Sequence, residues 1–473
     1  MKRASTTLQT IVFIGVAALL LATPIISFAE ETKQAEDVTA LSHATLPEDD
    51  RAVRRTRDGN LNTYAAYGAN EAFSLTWEAA ASVSTVYVKW RTLPDYAILV
   101  QSDENGNELS RRTIDEPIYN DCYAIVPNAR RLTLSCEGGM QISEATLFSE
   151  GDLPEGIHPW LPSVEKADLM IVSAHCDDEL IFFGGTIPYY AGEKKLAVQV
   201  VYMANADRAR VDEALNGLWH AGVRNSPVFL PCKDVYTETL RLALLNWGEE
   251  ETTGALVGLI RRFRPEVIVS HDVDGEYGHG AHQATAYCVM QAVHRAADGA
   301  AFPDSAKADG VWQAKKLYLH LYSENPITMD WNQPLNAFGG KTALQIANEA
   351  YHMHVSQLEY HNSVYANGAY SSLRFGLAYS AVGQDAAKND FFEHIDPDSL
   401  TNAVLPTASP APAPTFSPAV QTELPTTIEE SRGPQFDKQQ QQQLRGITSI
   451  LFLFLSAGAL IVTKQQRDKK NKL

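Results

Sequence analysis

The hydrophobic pattern of this chain changes period once, and that change divides it into two kinds of structure. Over residues 37–151 the beat is two residues long: Val86, Val88 and Trp90 interleave with Tyr87 and Lys89, residues 132–136 keep the same alternation, residues 97–101 are β-prone, and Asn105-Gly106 is a hairpin-turn signal. No helical stripe of useful length interrupts it, so this region is expected to be an all-β sandwich or jelly roll. From Ala167 onward, short apolar runs at 167–173, 197–204, 228–230 and 267–270 are separated by helical stripes at 211–221, 255–263 and 282–297. Strands alternating with amphipathic helices predict a Rossmann-like α/β domain, a parallel sheet covered on both faces, over residues 160–397. In such folds ligands bind beyond the C-terminal ends of the strands.

The two ends suggest an address. Lys2 and Arg3 precede an apolar stretch at 11–22, and Ser27-Phe28-Ala29 supplies small residues for cleavage, so residues 1–29 are expected to be a signal peptide. Residues 446–463 form an uncharged apolar run long enough for a transmembrane helix. The flank at 464–473 carries Lys464, Arg467, Lys469, Lys470 and Lys472, which the positive-inside rule keeps cytoplasmic. Between the domains and this run, the proline- and glutamine-rich residues 401–445 read as a disordered stalk. The expectation is a single-pass cell-membrane protein with extracellular domains. A formal net charge of -18 argues against nucleic acid as a partner. Of the five cysteines, Cys122 and Cys136 are expected on neighbouring strands, where a disulfide is open to them; Cys232 and Cys288 read as buried small hydrophobes. Trp77 and Trp90 suit either a core or a sugar platform, the core being the commoner fate of a strand tryptophan.

The chemistry-bearing residues fall at strand ends. The first α/β strand runs into His175-Cys176-Asp177-Asp178-Glu179, and the fourth into His271-Asp272, continuing through Tyr277 and His279 to His282. An imidazole and a carboxylate from one loop, with an imidazole from the other, make a nitrogen and oxygen set suited to zinc with an open position. Two adjacent carboxylates permit one to bind the metal while its neighbour handles protons. Asp272 is placed either to orient a histidine or simply to cap its loop.

With these motifs the segment 167–357 resembles the PIG-L (LmbE-like) deacetylase family, whose first motif is Ala-His-Pro-Asp-Asp-Glu and whose second is Gly-His-x-x-His after an Asp and a glycine-rich turn. Arg210, Glu213, Lys316-Leu317-Tyr318 and His354-Val355-Ser356-Gln357 share in the likeness. The resemblance implies removal of acetyl groups from N-acetylglucosamine-type sugars, with zinc or another divalent metal held by His175, Asp178 and His282. It implies Asp177 as general base, with Tyr277 and a protonated His279 steadying the oxyanion. Two departures stand out: Cys176 replaces the motif proline, and Ala281 replaces the Asp found between the two histidines in many members. His352, His354 and His361 are expected on a helix, in packing or capping roles. In the β-region, residues 57–64, Leu75-Thr76-Trp77-Glu78 and residues 142–148 resemble the discoidin (coagulation factor 5/8 type C) family, many of whose members bind glycans.

These readings converge on a membrane-anchored, outward-facing N-deacetylase, releasing acetate and a free amine from N-acetylated glycans such as cell-wall, capsule or host polysaccharide. The alternatives are a surface glycan-binding adhesin whose α/β domain has lost turnover, and an amidase acting on a non-sugar N-acyl substrate.

Overall fold

The computed structural model describes residues 33–45, 54–69 and 71–401. The expected signal peptide, the stalk beyond Thr401, the transmembrane run and the basic tail lie outside these residues; within them, no helix is long and apolar enough to cross a membrane.

The N-terminal strands form two antiparallel sheets. One contains β1 (Ser42–Thr45), β3 (Ala72–Trp77), β8 (Arg131–Ser135), β5 (Ala97–Ser102) and β6 (Glu108–Ile114) in that order; the other contains β2 (Ala65–Tyr67), β9 (Met140–Ser149), β4 (Val83–Thr92) and β7 (Asn120–Ala124). Inward-facing residues of both sheets, including Phe73, Leu75, Leu134, Val86, Trp90 and Ile142, meet in one core. Trp77 and Trp90 are therefore core residues, 5% and 0% exposed, and not a platform for sugar. All five cysteines are free thiols. Cys122 lies in β7 and Cys136 follows β8 in the opposing sheet, so the two are not on neighbouring strands and do not pair.

The C-terminal region holds a seven-stranded sheet of order β12 (Val228–Lys233), β11 (Val198–Asn205), β10 (Leu169–Ser173), β13 (Val267–Ser270), β14 (Lys316–His320), β16 (Arg374–Ser380) and β15 (Pro326–Thr328). The first five are parallel, as expected. The pattern breaks at β16, which runs antiparallel to both β14 and β15, so that β15 at the edge points the same way as the first five. An antiparallel neighbour needs no helical crossover, so β16 lies outside the strand–helix alternation read from the sequence. The α-helices among the described residues are α1 (Asp178–Ile181), α2 (Arg208–His220), α3 (Leu240–Trp247), α4 (Glu249–Phe263), α5 (Gly280–Ala296), α6 (Pro303–Asp309) and α7 (Ala343–Tyr351). The continuous apolar run of β10 serves two cores. Leu169 and Ile171 share one with α2 and α7, while Met170 and Val172 share the other with α4 and α5, where Cys232 and Cys288 are also buried.

From β10 the chain builds outward through β11 to β12, then returns to lay β13 on the other side of β10. The C-terminal ends of β10 and β13 thus flank a topological switch point, the ordinary place for a site in such a sheet. The β-unit abuts α2. Asp212 accepts hydrogen bonds from Lys89 Nζ (3.0 Å) and Asn120 Nδ2 (2.8 Å), and Arg208 Nε donates to the Trp90 carbonyl (2.7 Å). Arg208 also donates to the Asn120 side-chain oxygen. Asp212→Ala would leave two largely buried cations, Lys89 and Arg208, without their counter-charge. Urea unfolding is expected to show a loss of about 3 kcal/mol.

Candidate metal centre

The loops after β10 and β13 are tied to each other directly. The Ala174 N–H donates to His271 Nε2 (2.9 Å), so the first loop hangs from a histidine of the second. The first loop then turns sharply. Asp177 has φ 155°, a conformation L-residues rarely adopt, and its N–H is held by Glu179 Oε2 (2.9 Å). Cys176 packs into the apolar core, 1% exposed, and takes no place among the donor groups. Burial pushes its thiol well above the ordinary range.

Three donor atoms converge where the loops meet. His175 Nδ1 lies 2.9 Å from Asp178 Oδ2, His282 Nε2 lies 3.2 Å from the same oxygen, and the two ring nitrogens are 3.3 Å apart. Ligand atoms at about 2.0–2.2 Å from a tetrahedral zinc stand roughly 3.3–3.6 Å from one another, so this triangle needs only slight expansion to grip one. Two overlapping groups, His175 with His279 and His282, and Asp178 with His271 and His282, each keep their ligand atoms within 4.8 Å. The donor set fits zinc. Its electrostatics favour a cation: burial alone would lower the His282 pKa, yet Asp178 and Glu276 outweigh it and lift it to about 10. Burial likewise opposes the charged form of Asp178, but His282 and His175 hold it well below the usual carboxylate range.

The residue that organises this centre is Glu276, which none of the sequence motifs singled out. Its Oε2 faces His282 Nδ1 and His271 Nδ1, both at 2.8 Å, and its Oε1 faces His320 Nδ1 at 2.7 Å. The carboxylate is fully buried, and despite that burial His271 and its companion imidazoles keep it well below the ordinary range. Gly275 makes the turn possible: at φ +68° it folds the chain back, and a Cβ there would lie 2.5 Å from the His279 carbonyl. Asp272 caps its loop, accepting from the Asp274 N–H (3.2 Å), and its side chain holds no histidine. Glu276 supplies the histidine-orienting carboxylate in a motif where Ala281 offers none. A glutamate shortly before His279 in a glycine-rich turn was the available signal, as were His271 and His320 at strand ends.

The remaining residues lie around this core. Asp177 is 8% exposed; burial and the adjoining Asp178 raise its pKa to about 7, opposed by Arg210, whose Nη2 is 3.4 Å from Oδ1. Arg210 also pairs with Asp234 (3.1 Å), which the sequence did not single out and whose Oδ1 is 3.7 Å from His175 Nε2. His279 differs from its expected protonated state. Its Nδ1 accepts from the Ala281 N–H (3.1 Å), and burial beside His282 and His175 lowers its pKa to about 3, leaving a neutral ring with the proton on Nε2. Tyr277, at φ 48° and 45% exposed, sets its ring 5.4 Å from that of His282. The three later histidines are not on one helix, because α7 ends at Tyr351. His352 caps it through the Asn348 carbonyl (2.6 Å), His354 is buried 3.6 Å from Glu179, and His361 stands near Tyr277, with ring centres 6.4 Å apart. Glu276→Gln is expected to weaken zinc binding about 10- to 100-fold, read by competition with a chromogenic chelator. Asp272→Asn is expected to leave it within about twofold.

Residues 170–293 match the family model PIG-L: GlcNAc-PI de-N-acetylase. A 1D-myo-inositol 2-acetamido-2-deoxy-alpha-D-glucopyranoside deacetylase of Rhodococcus erythropolis is 29% identical over 182 residues, covering 32% of this chain and 59% of the relative. The chain therefore spans about three fifths of that protein's length. Among solved structures, the N,N'-diacetylchitobiose deacetylase of Pyrococcus horikoshii is 16% identical with a TM-score of 0.32, over 40% of this chain and 71% of that one. The lectin domain of lectinolysin is 15% identical with a TM-score of 0.21, over 25% of this chain and 99% of that one. The segment of this chain that matches the PIG-L model contains both loops of the metal centre, from His175 to His282.

Proposed function

We propose that this chain is a metal-dependent N-deacetylase that hydrolyses the acetamido group of N-acetylglucosamine-type glycans to acetate and a free amine. The observation that carries the reading is the triangle of His175 Nδ1, Asp178 Oδ2 and His282 Nε2, with the separate carboxylate of Asp177 beside it. The PIG-L match over the same residues supports it, as do the acetamido sugars in the name of the Rhodococcus relative.

His175, Asp178 and His282 would hold the metal, which supplies Lewis acidity toward a water and toward the amide carbonyl. Asp177, with a pKa raised to about 7, takes the proton of the attacking water and returns it to the departing amine. Arg210, 3.4 Å away, keeps that carboxylate in place. His279 acts as a neutral donor: with Nδ1 engaged by the Ala281 N–H, its Nε2–H is free to meet the developing oxyanion. Tyr277 joins it from the rim. The exposed tyrosines Tyr236, Tyr277 and Tyr370 suit a substrate whose sugar rings offer C–H faces.

The anchored, extracytoplasmic setting is part of the proposal and is supported by the apolar runs at both chain ends and the basic residues beyond 463. So is a discoidin-like, glycan-holding role for the β-unit, which rests on its sequence motifs. Zinc-loaded full-length chain is expected to release acetate from N-acetylglucosamine oligomers. Asp177→Asn should retain the metal and lose about 10²- to 10⁴-fold in turnover. Loss of metal in that variant would exchange the roles of Asp177 and Asp178, and glycan binding without acetate release from the unsubstituted chain would favour the adhesin.

A further inference from the structure

Where the β-unit meets α2 there is a cavity of about 210 Å³. At ~30 Å³ per water it has room for about seven, the scale of one sugar ring and not of a chain. The ends of the four-stranded sheet and the loops beside them contribute Tyr64, Arg91, Thr92, Tyr119 and Gln141, and the first turn of α2 contributes Arg208.

The two arginines differ in how far they are committed. Arg208 is buried and engaged, donating to the Trp90 and Tyr119 carbonyls at 2.7 and 3.2 Å. Arg91 is half-buried and rests against the ring of Tyr64, 5.9 Å from its centre. Among the described residues no hydrogen bond or ion pair engages the Arg91 guanidinium, the Gln141 amide, or the hydroxyls of Tyr64, Thr92 and Tyr119. No carboxylate lines the cavity, although the chain as a whole carries a formal charge of -18. A concave wall of uncommitted donors with aromatic faces and one free guanidinium has the chemistry of a saccharide site, and the guanidinium fork matches a carboxylate.

We propose that this junction cavity is a binding subsite for a pyranose ring bearing a carboxylate, a uronic-acid-type residue. Its acid pairs with Arg91 and its hydroxyls meet Gln141, Thr92 and the tyrosines. The subsite and the candidate metal centre share α2: two residues on from Arg208, Arg210 Nη2 reaches the Cys176 carbonyl (3.3 Å) and Asp177 (3.4 Å). The inference rests on the proposed glycan substrate and adds to it an acidic sugar component.

Calorimetric titration of the full-length chain with D-glucuronate and D-glucose tests this, both zinc-loaded and after removal of zinc with a chelator, so that a carboxylate bound at the metal is told apart from one bound at Arg91. D-glucuronate is expected to bind about tenfold more tightly than D-glucose. Arg91→Ala should lose about tenfold in that affinity, with Arg91→Lys in between. Thr92→Trp, on the exposed lip, should block binding, with circular dichroism confirming the fold. Absence of glucuronate binding, equal binding of the two sugars, or undiminished binding by Arg91→Ala overturns the subsite. Acetate release from N-acetylglucosamine oligomers is measured in parallel. Its absence with glucuronate binding intact overturns the deacetylase reading alone, and the converse overturns the subsite alone.

Discussion

One buried carboxylate holds together the end of this fold that carries the candidate metal centre. Glu276 has no exposure to water and meets an imidazole from the end of β13, one from α5 and one from β14. An unpaired charge in such a place would cost several kcal/mol, about 3–5 on the usual scale for a broken buried pair. Three nitrogen partners remove that cost and at the same time fix the ring of His282, so that Nε2 faces His175 and Asp178. The geometry of the candidate metal centre is therefore set from behind, by a carboxylate outside the triangle of His175, Asp178 and His282.

The same arrangement explains how the second motif tolerates Ala281. In this chain the carboxylate that steadies a histidine arrives from further upstream, just after the turn at Gly275, and its partner is His282. His279 is left with a backbone N–H as its Nδ1 partner and so with a neutral ring. A neutral donor and a cation both stabilise a developing oxyanion, but the neutral form does not compete electrostatically with a metal close by.

Much of this was legible in the linear chain, and the exceptions share a cause. His175, Asp177, Asp178 and His282 could be found because apolar runs locate the strand ends, and strand ends locate the site. Asp272 and Glu276 are both acidic residues of one loop, and only the backbone path through Gly275 decides which one reaches the imidazoles. The strand β15, only Pro326–Thr328, is too short to show a period, and β16 pairs antiparallel with β14 outside the strand–helix alternation. The junction between the β-unit and α2 was equally hidden, since Lys89 and Asp212 are 123 residues apart and no local pattern links them.

Thr401 has a bearing on orientation. Its N–H and hydroxyl both donate to Asp168, at 2.7 and 3.0 Å, immediately before β10 begins. Thr401 is consequently held at the pole of the parallel sheet opposite the one that carries His175 and His282. A load applied at Thr401 is therefore received by the N-terminal end of β10, and the loops that carry His175 and His282 stand at the far end of the strand from it.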